Sequence, residues 1–146
     1  MRLYTIGLTK KPAERFFELL REHGIGRLID TRLNPGGQLS GFAKQVDLRY
    51  FLANLVGADY THLPVLAPTA DVLSGYRSDS DWVRYVARFE ALMDERGVPG
   101  TLDRALFGDR PACLLCSEAT PERCHRRLVA ERIAGAWENV EVIHLV

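Results

Sequence analysis

The 146-residue chain lacks any apolar run approaching the ~18 residues that a membrane-spanning helix needs. Its start, MRLYTIGLTKKPAERF, lacks a long apolar segment leading to a small-residue cleavage site. The expectation is a soluble, cytoplasmic protein with no membrane partner. Cysteine is scarce: three residues, an odd count, are too few for the disulfide framework of a small secreted domain and suit thiols in a reducing compartment. A charge excess is also missing. Nineteen Lys and Arg balance nineteen Asp and Glu, which disfavours extended contact with nucleic acid or anionic membrane and makes any anion site a local one. Low-complexity segments are absent, and 47% hydrophobic with 26% charged residues excludes a disordered chain.

What is present reads as one domain over residues 1–146, since this length supports one substantial core. RLYTIG (2 to 7) is a short β-prone run stopped by Gly7. KPAERFFELLREHG (11 to 24) sets Phe16, Phe17, Leu19 and Leu20 at helical spacing between Pro12 and Gly24. RLIDTR (27 to 32) then reads as a buried strand, which makes a right-handed parallel crossover. Residues 34–46, with three glycines and a proline, predict a flexible Gly-rich loop near the site. A helix from Asp47 to about Val56, a strand DYTHLPVL and an irregular stretch from Ala67 to Ser80 follow. DWVRYVARFEALMDERG (81 to 97) predicts a helix capped by Asp81, with Trp82, Val83, Val86, Phe89 and Met93 on its apolar side. ACLLCSE has strand length, TPERCHRRLVAERIAGAW reads as a helix with Thr120 as N-cap and Pro121 first, and VEVIHLV is a closing strand. The alternation predicts an α/β sandwich: a mostly parallel central sheet of about five strands, flanked by helices.

In such folds ligands gather outside the carboxyl ends of the strands. Those ends carry Thr5 to Gly7, Asp30 to Arg32, His62 to Pro64 and Cys116 to Glu118. Cys113 and Cys116 are three apart on a strand, so they face opposite sides, which disfavours a CLLC chelate and makes Cys113 a core residue. Cys116 precedes a helix N-terminus, whose unpaired N–H groups favour a thiolate, carboxylate or phosphate, and Arg123, Arg126 and Arg127 add positive charge. The competing account is a structural cysteine with solvent-facing arginines. Six residues separate Cys116 from Arg123 where a tyrosine-phosphatase loop has five, and they include Glu118 and Glu122 but no glycine, so a phosphatase is rejected. Cys124 and His125, adjacent on the helix, point about 100° apart, which argues against joint ligation of one ion. No metal ligand is therefore assigned. A Cys116–Cys124 disulfide, or a metal held by Cys116, Cys124 and a distant histidine such as His62, stand as alternatives. Asp30 and Arg32 share a strand face; they either pair with each other, or Arg32 holds an anion while Asp30 orients a nucleophile or hydroxyl, with Glu118 as acid or base.

YTIG at 4 to 7, DTR at 30 to 32 with Pro35 beyond, HLP at 62 to 64, CLLCSEATPERCHRRLVAERI and the terminal VIHLV together resemble domain-of-unknown-function family 488 over nearly the whole chain. The C-terminal block with Cys116, Glu118, Cys124, His125 and Arg126 is the most specific part. The family's usual pattern has histidine after the first Thr-Ile-Gly, and this sequence has Leu8 there. The resemblance implies a conserved α/β domain with a pocket built from Thr5, Gly7, Asp30, Arg32, His62, Cys116, Glu118, Cys124, His125 and Arg126. It supplies no activity and no cofactor.

The leading expectation is an enzyme acting on an anionic, phosphorylated or nucleotide-like small molecule at the sheet's carboxyl edge, its reaction class unassigned. Asp30, Cys116, Glu118 and His125 are the candidate catalytic groups, and Thr5, Gly7, Arg32, His62, Cys124 and Arg126 the candidate binding groups. A second expectation is a nucleotide or nucleic-acid binding module without catalysis, with Arg32, Arg126 and Arg127, stacking from Tyr50, Tyr60 or Trp82, and the loop 34–46 closing over the ligand. A third is a metal or redox protein using Cys116 and Cys124. Homodimerisation is a further expectation for the exposed apolar loop residues.

Overall fold

The computed structural model describes the backbone of residues 1–146 and all side chains except those of residues 38–40. Five strands, β1 (Arg2–Gly7), β2 (Arg27–Asp30), β3 (Asp59–His62), β4 (Ala112–Cys116) and β5 (Glu141–Leu145), form one sheet in the order β3-β2-β4-β1-β5, and every pairing is parallel. The connections after β1 and β2 run toward the β3 edge, whereas those after β3 and β4 run toward the β5 edge. Right-handed crossovers then place the helices on opposite faces. Helices α1 (Ala13–Glu22) and α2 (Gln45–Phe51) bury Phe16, Phe17, Leu20 and Leu48 with Ile6, Leu28 and Cys113. Helices α3 (Ala70–Asp79), α4 (Trp82–Glu95), α5 (Ala105–Gly108) and α6 (His125–Ala136) bury Val72, Phe89, Phe107 and Ile133 with Leu3, Ile29 and Leu114. The reversal of direction falls at β4, between β2 and β1, and opens a crevice at its carboxyl end.

Local chemistry sets most boundaries. Pro12 occupies the N-cap of α1, and Gly24, at φ +64, lets the chain turn away after its end. Asp81 caps α4 by accepting from the Arg84 N–H, and Tyr85, Phe89 and Met93 form its buried stripe. Val83, assigned from sequence to that stripe, is instead 79% exposed, because at 100° per residue it sits about a third of a turn from the stripe's centre. The strand read over DYTHLPVL ends at His62, since Pro64 lacks an N–H and opens a 3-10 turn, Pro64–Leu66.

Two further expectations are corrected. The stretch 67–80, read as irregular, contains α3, whose weak amphipathicity and internal Gly75 hide it; Thr69 caps it and Tyr76 packs against Trp82 and Tyr85 of α4. The helix expected from Thr120 begins at His125, with Cys124 as N-cap. Residues 117–123 arch over the sheet edge instead, because the burial of Cys124, His125 and Arg126 outweighs the local Thr-Pro start signal. Of the Gly-rich segment 34–46, the side chains of residues 38–40 lie outside the described residues; a 3-10 segment, Gln38–Ala43, and the start of α2 occupy the rest.

Candidate functional site

Cys116, the last residue of β4, lies at the crevice and is 4% exposed. Its neighbour in the strand register, Gly7, ends β1, and the pairing runs on through Leu8 N–H to Cys116 O and Thr9 N–H to Ser117 O. Cys113 points to the opposite core, as its spacing from Cys116 requires. The Cys124 backbone, at φ −138 and ψ 138, is extended rather than helical. This removes the 100° divergence expected for helical neighbours: the Cys116 and Cys124 sulfurs and a ring nitrogen of His125 lie within 4.8 Å of one another, all buried.

The histidine is fixed from both sides. Nε2 lies 2.8 Å from the Thr31 carbonyl oxygen, which only accepts, so Nε2 carries a proton. Cys116 Sγ lies 3.4 Å from Nδ1 and 3.7 Å from Nε2, beside the ring rather than along the Nδ1 lone pair. The Thr31 hydroxyl donates to Leu115 O and holds this corner of β2 to β4, while Phe89 of α4 flanks the ring at 5.6 Å. Burial opposes ionisation of Cys116, but the Cys124 thiol, the Glu118 and Ser117 N–H groups and the charge of Arg126 outweigh it, and the Cys116 pKa falls below its ordinary value. Cys124 moves the other way, raised by burial and by the adjoining Cys116 thiolate. Cys116 thus ionises more readily than Cys124.

Asp30 and Arg32 adopt the first of the two arrangements their spacing allowed. Asp30 is fully buried, and its carboxylate accepts from the Arg32 backbone N–H, from Arg32 Nε and Nη2, and from the Tyr60 hydroxyl at 2.5 Å. Arg32 Nη2 also donates to Ala43 O, and His62 Nε2 donates to Arg32 O. Burial and the Asp30 carboxylate raise the Tyr60 pKa. Asp30, Tyr60 and His62 therefore position Arg32 from behind.

On the β1 side, Arg126 is fully buried; Nη1 donates to Glu118 O at 2.7 Å and Nε to the Thr5 hydroxyl at 3.3 Å, while Nη2 has no hydrogen-bond partner among the described residues. Thr5 in turn bonds His144 Nδ1 at 2.6 Å. Gly7 is required here: a Cβ would overlap the Glu118 carbonyl oxygen and lie 2.9 Å from Arg126 Nη1.

A cavity of about 280 Å³ opens onto the crevice, with Cys116, Glu118, Cys124, His125 and Arg32 among its lining residues. Its far wall comes from α3 and α4: Tyr76, Arg77 and Tyr85, which the sequence did not indicate, and Trp82, stacked on Tyr85 at 5.3 Å. Arg32, Arg77 and Arg123 face a single carboxylate, Glu118. Asp30, Thr5, Gly7, His62 and Arg126 lie behind this lining. Of the residues expected to stack, Trp82 lines the cavity, Tyr60 is buried against Asp30 and Tyr50 is 64% exposed on α2. Missing Tyr76 and Arg77 follows from missing α3.

Among the described residues no helix is long and apolar enough to cross a membrane. Neither the curated proteins nor the solved structures contain a match to the chain. A family model does: the one described as Domain of unknown function DUF488 matches residues 12–133, spanning α1, the Asp30–Arg32 pair, the cysteine and histidine cluster and most of α6, and the chain belongs to that family.

Proposed function

We propose that the protein is an enzyme in which Cys116 is the nucleophile and His125 its proton acceptor and donor, acting on a small anionic, nucleotide-like molecule held in the adjoining cavity. The observation that carries this reading is the 3.4 Å approach of Cys116 Sγ to a histidine nitrogen whose opposite nitrogen is tied to the Thr31 carbonyl. A nucleophile, a base and a group that orients the base form the minimal set for covalent catalysis by a thiol. The thiol proton passes to Nδ1. The thiolate then forms a bond to an electrophilic carbon of the ligand, the leaving group departs with its bonding pair and takes the proton from Nδ1, and attack by water, its proton passing to Nδ1, frees the sulfur.

The anionic class follows from the lining: three arginines against one carboxylate, beside the first N–H groups of the twelve-residue α6. The stacked Trp82 and Tyr85 suit a planar group, and the cavity's size suits a small molecule. Arg77 and Arg123 contact the anion, Arg32 is aimed by Asp30, and Glu118 is placed to exchange a proton with the ligand. Thr5, Gly7, His62 and Arg126 shape the site without touching the ligand.

The test combines iodoacetamide labelling of Cys116 with a thermal-shift panel of nucleotides, nucleosides and sugar phosphates. A ligand at a hundred times its Kd contributes about 2.7 kcal/mol, or roughly 5–10 °C for a chain of this size. The expected result is one anionic class that raises Tm by this amount, blocks labelling, and loses both effects in the Arg77→Ala, Arg123→Ala double variant. A panel in which no anion protects or stabilises overturns the reading.

A further inference from the structure

We propose that Cys116, Cys124 and His125 also form a binding site for a thiophilic divalent cation, zinc by its donor set, and that the metal switches the nucleophile off. Three observations carry the site independently of any substrate. First, two sulfurs and an imidazole nitrogen from two different elements converge within 4.8 Å. Two zinc bonds, ~2.3 Å to sulfur and ~2.05 Å to nitrogen, span ~3.6 Å at the tetrahedral angle, and Cys116 Sγ lies 3.4 Å from His125 Nδ1. The same sulfur is 3.7 Å from Nε2, so it lies off the Nδ1 lone-pair axis and the ring turns to admit the ion.

Second, the histidine is already held as metal-ligating histidines usually are. Its Nε2–H is anchored on a backbone carbonyl, Thr31 O at 2.8 Å, which leaves Nδ1 as the nitrogen open to a metal. Third, all three ligands line the cavity, so a fourth coordination position is left on the open side. Two thiolates, one imidazole and one open position suit zinc among the common cations, whereas magnesium and calcium require oxygen donors. Cys124, which the proposed reaction does not use, acquires a role as the second thiolate.

Zinc binding expels the thiol protons to water and engages the same two electron pairs, on Cys116 Sγ and His125 Nδ1, that the reaction requires. The bound and the nucleophilic states therefore exclude each other. The inhibitory consequence rests on Cys116 being the reactive thiolate of the proposed function; the binding itself does not.

Metal-free, reduced protein titrated with cobalt(II) separates the two claims. One equivalent should give a thiolate-to-cobalt charge-transfer band that zinc bleaches, that Cys116→Ser and Cys124→Ser each lose, and that Cys113→Ala, in the opposite core, keeps. In parallel, zinc should block iodoacetamide labelling of Cys116, and Cys124→Ser should raise the zinc needed for protection by about tenfold or more. Absence of the band at one equivalent, or its survival after loss of either thiol, overturns the metal site. Rapid labelling of metal-free Cys116 without a cobalt band would reject the metal site and leave the nucleophile standing; a cobalt band without labelling would do the reverse and reject the inhibition.

Discussion

Alanine at position 7 should damage the protein far more than its single methyl group implies. Gly7 ends β1 beside Cys116, and a Cβ there would overlap the Glu118 carbonyl oxygen while lying 2.7 Å from its carbon and 2.9 Å from Arg126 Nη1. Two of these obstacles are backbone, so the 117–119 segment must move. Overpacking of this kind costs about 1–3 kcal/mol. Displacing the Glu118 carbonyl also breaks its 2.7 Å bond from Arg126 Nη1, a charged donor in a fully buried side chain, for about 1.5–3 kcal/mol more. The expected loss is about 3–6 kcal/mol, read as a shift of the urea midpoint at constant slope. Gly135→Ala is the internal control. It lies within α6 with nothing within 4 Å of a new Cβ, so the same substitution should stabilise by about 0.5–1 kcal/mol through the unfolded state. A Gly7→Ala loss below about 1 kcal/mol would refute the close packing of the Glu118 carbonyl over β1 and, with it, the account of how Arg126 is held.

Asp30→Asn should cost about 3–5 kcal/mol, because it removes one charge of a fully buried ion pair while Arg32, 4% exposed, keeps the other; an equilibrium unfolding curve within about 1 kcal/mol of wild type would show that the pair does not brace the site. Because the Cys116 pKa is lowered, the thiolate persists to lower pH than in an ordinary thiol: alkylation of Cys116 in metal-free protein should rise with pH through a midpoint below the ordinary thiol value. Cys124→Ala, which removes the thiol donor, should move that midpoint upward; a midpoint at or above the ordinary thiol value in the wild-type protein would contradict the proposed environment.

The sheet was legible because its inner strands are short apolar runs followed by a glycine, charge or turn, and the parallel crossovers bury both faces, as in ACLLC, whose five residues are all buried. The location of the site followed from the same fact, since Asp30, Cys116 and their neighbours stand at strand ends. The far wall was not legible. In α3, ADVLSGYRSD, a glycine, two serines and three charged residues leave Val72 as its one buried residue, so neither propensity nor periodicity marks it. Its helicity depends on Thr69 and on aromatic packing against α4, which is tertiary information.

The cluster itself turned on a single boundary. Reading the helix from Thr120 gave Cys124 and His125 helical dihedrals and sent their side chains apart, which argued against joint ligation. Moving the start four residues on makes Cys124 the N-cap, and an N-cap residue has extended dihedrals. The Cys124 side chain then swings toward Cys116, while His125, first in the helix, faces the same crevice. Cys124 is an unusual N-cap, since serine, threonine, aspartate and asparagine lead that position, and it makes no side-chain cap hydrogen bond. A residue that neither caps well nor serves as ordinary apolar filling, placed where its sulfur meets another thiol and an oriented imidazole, is accounted for by chemistry at the site more readily than by helix stability.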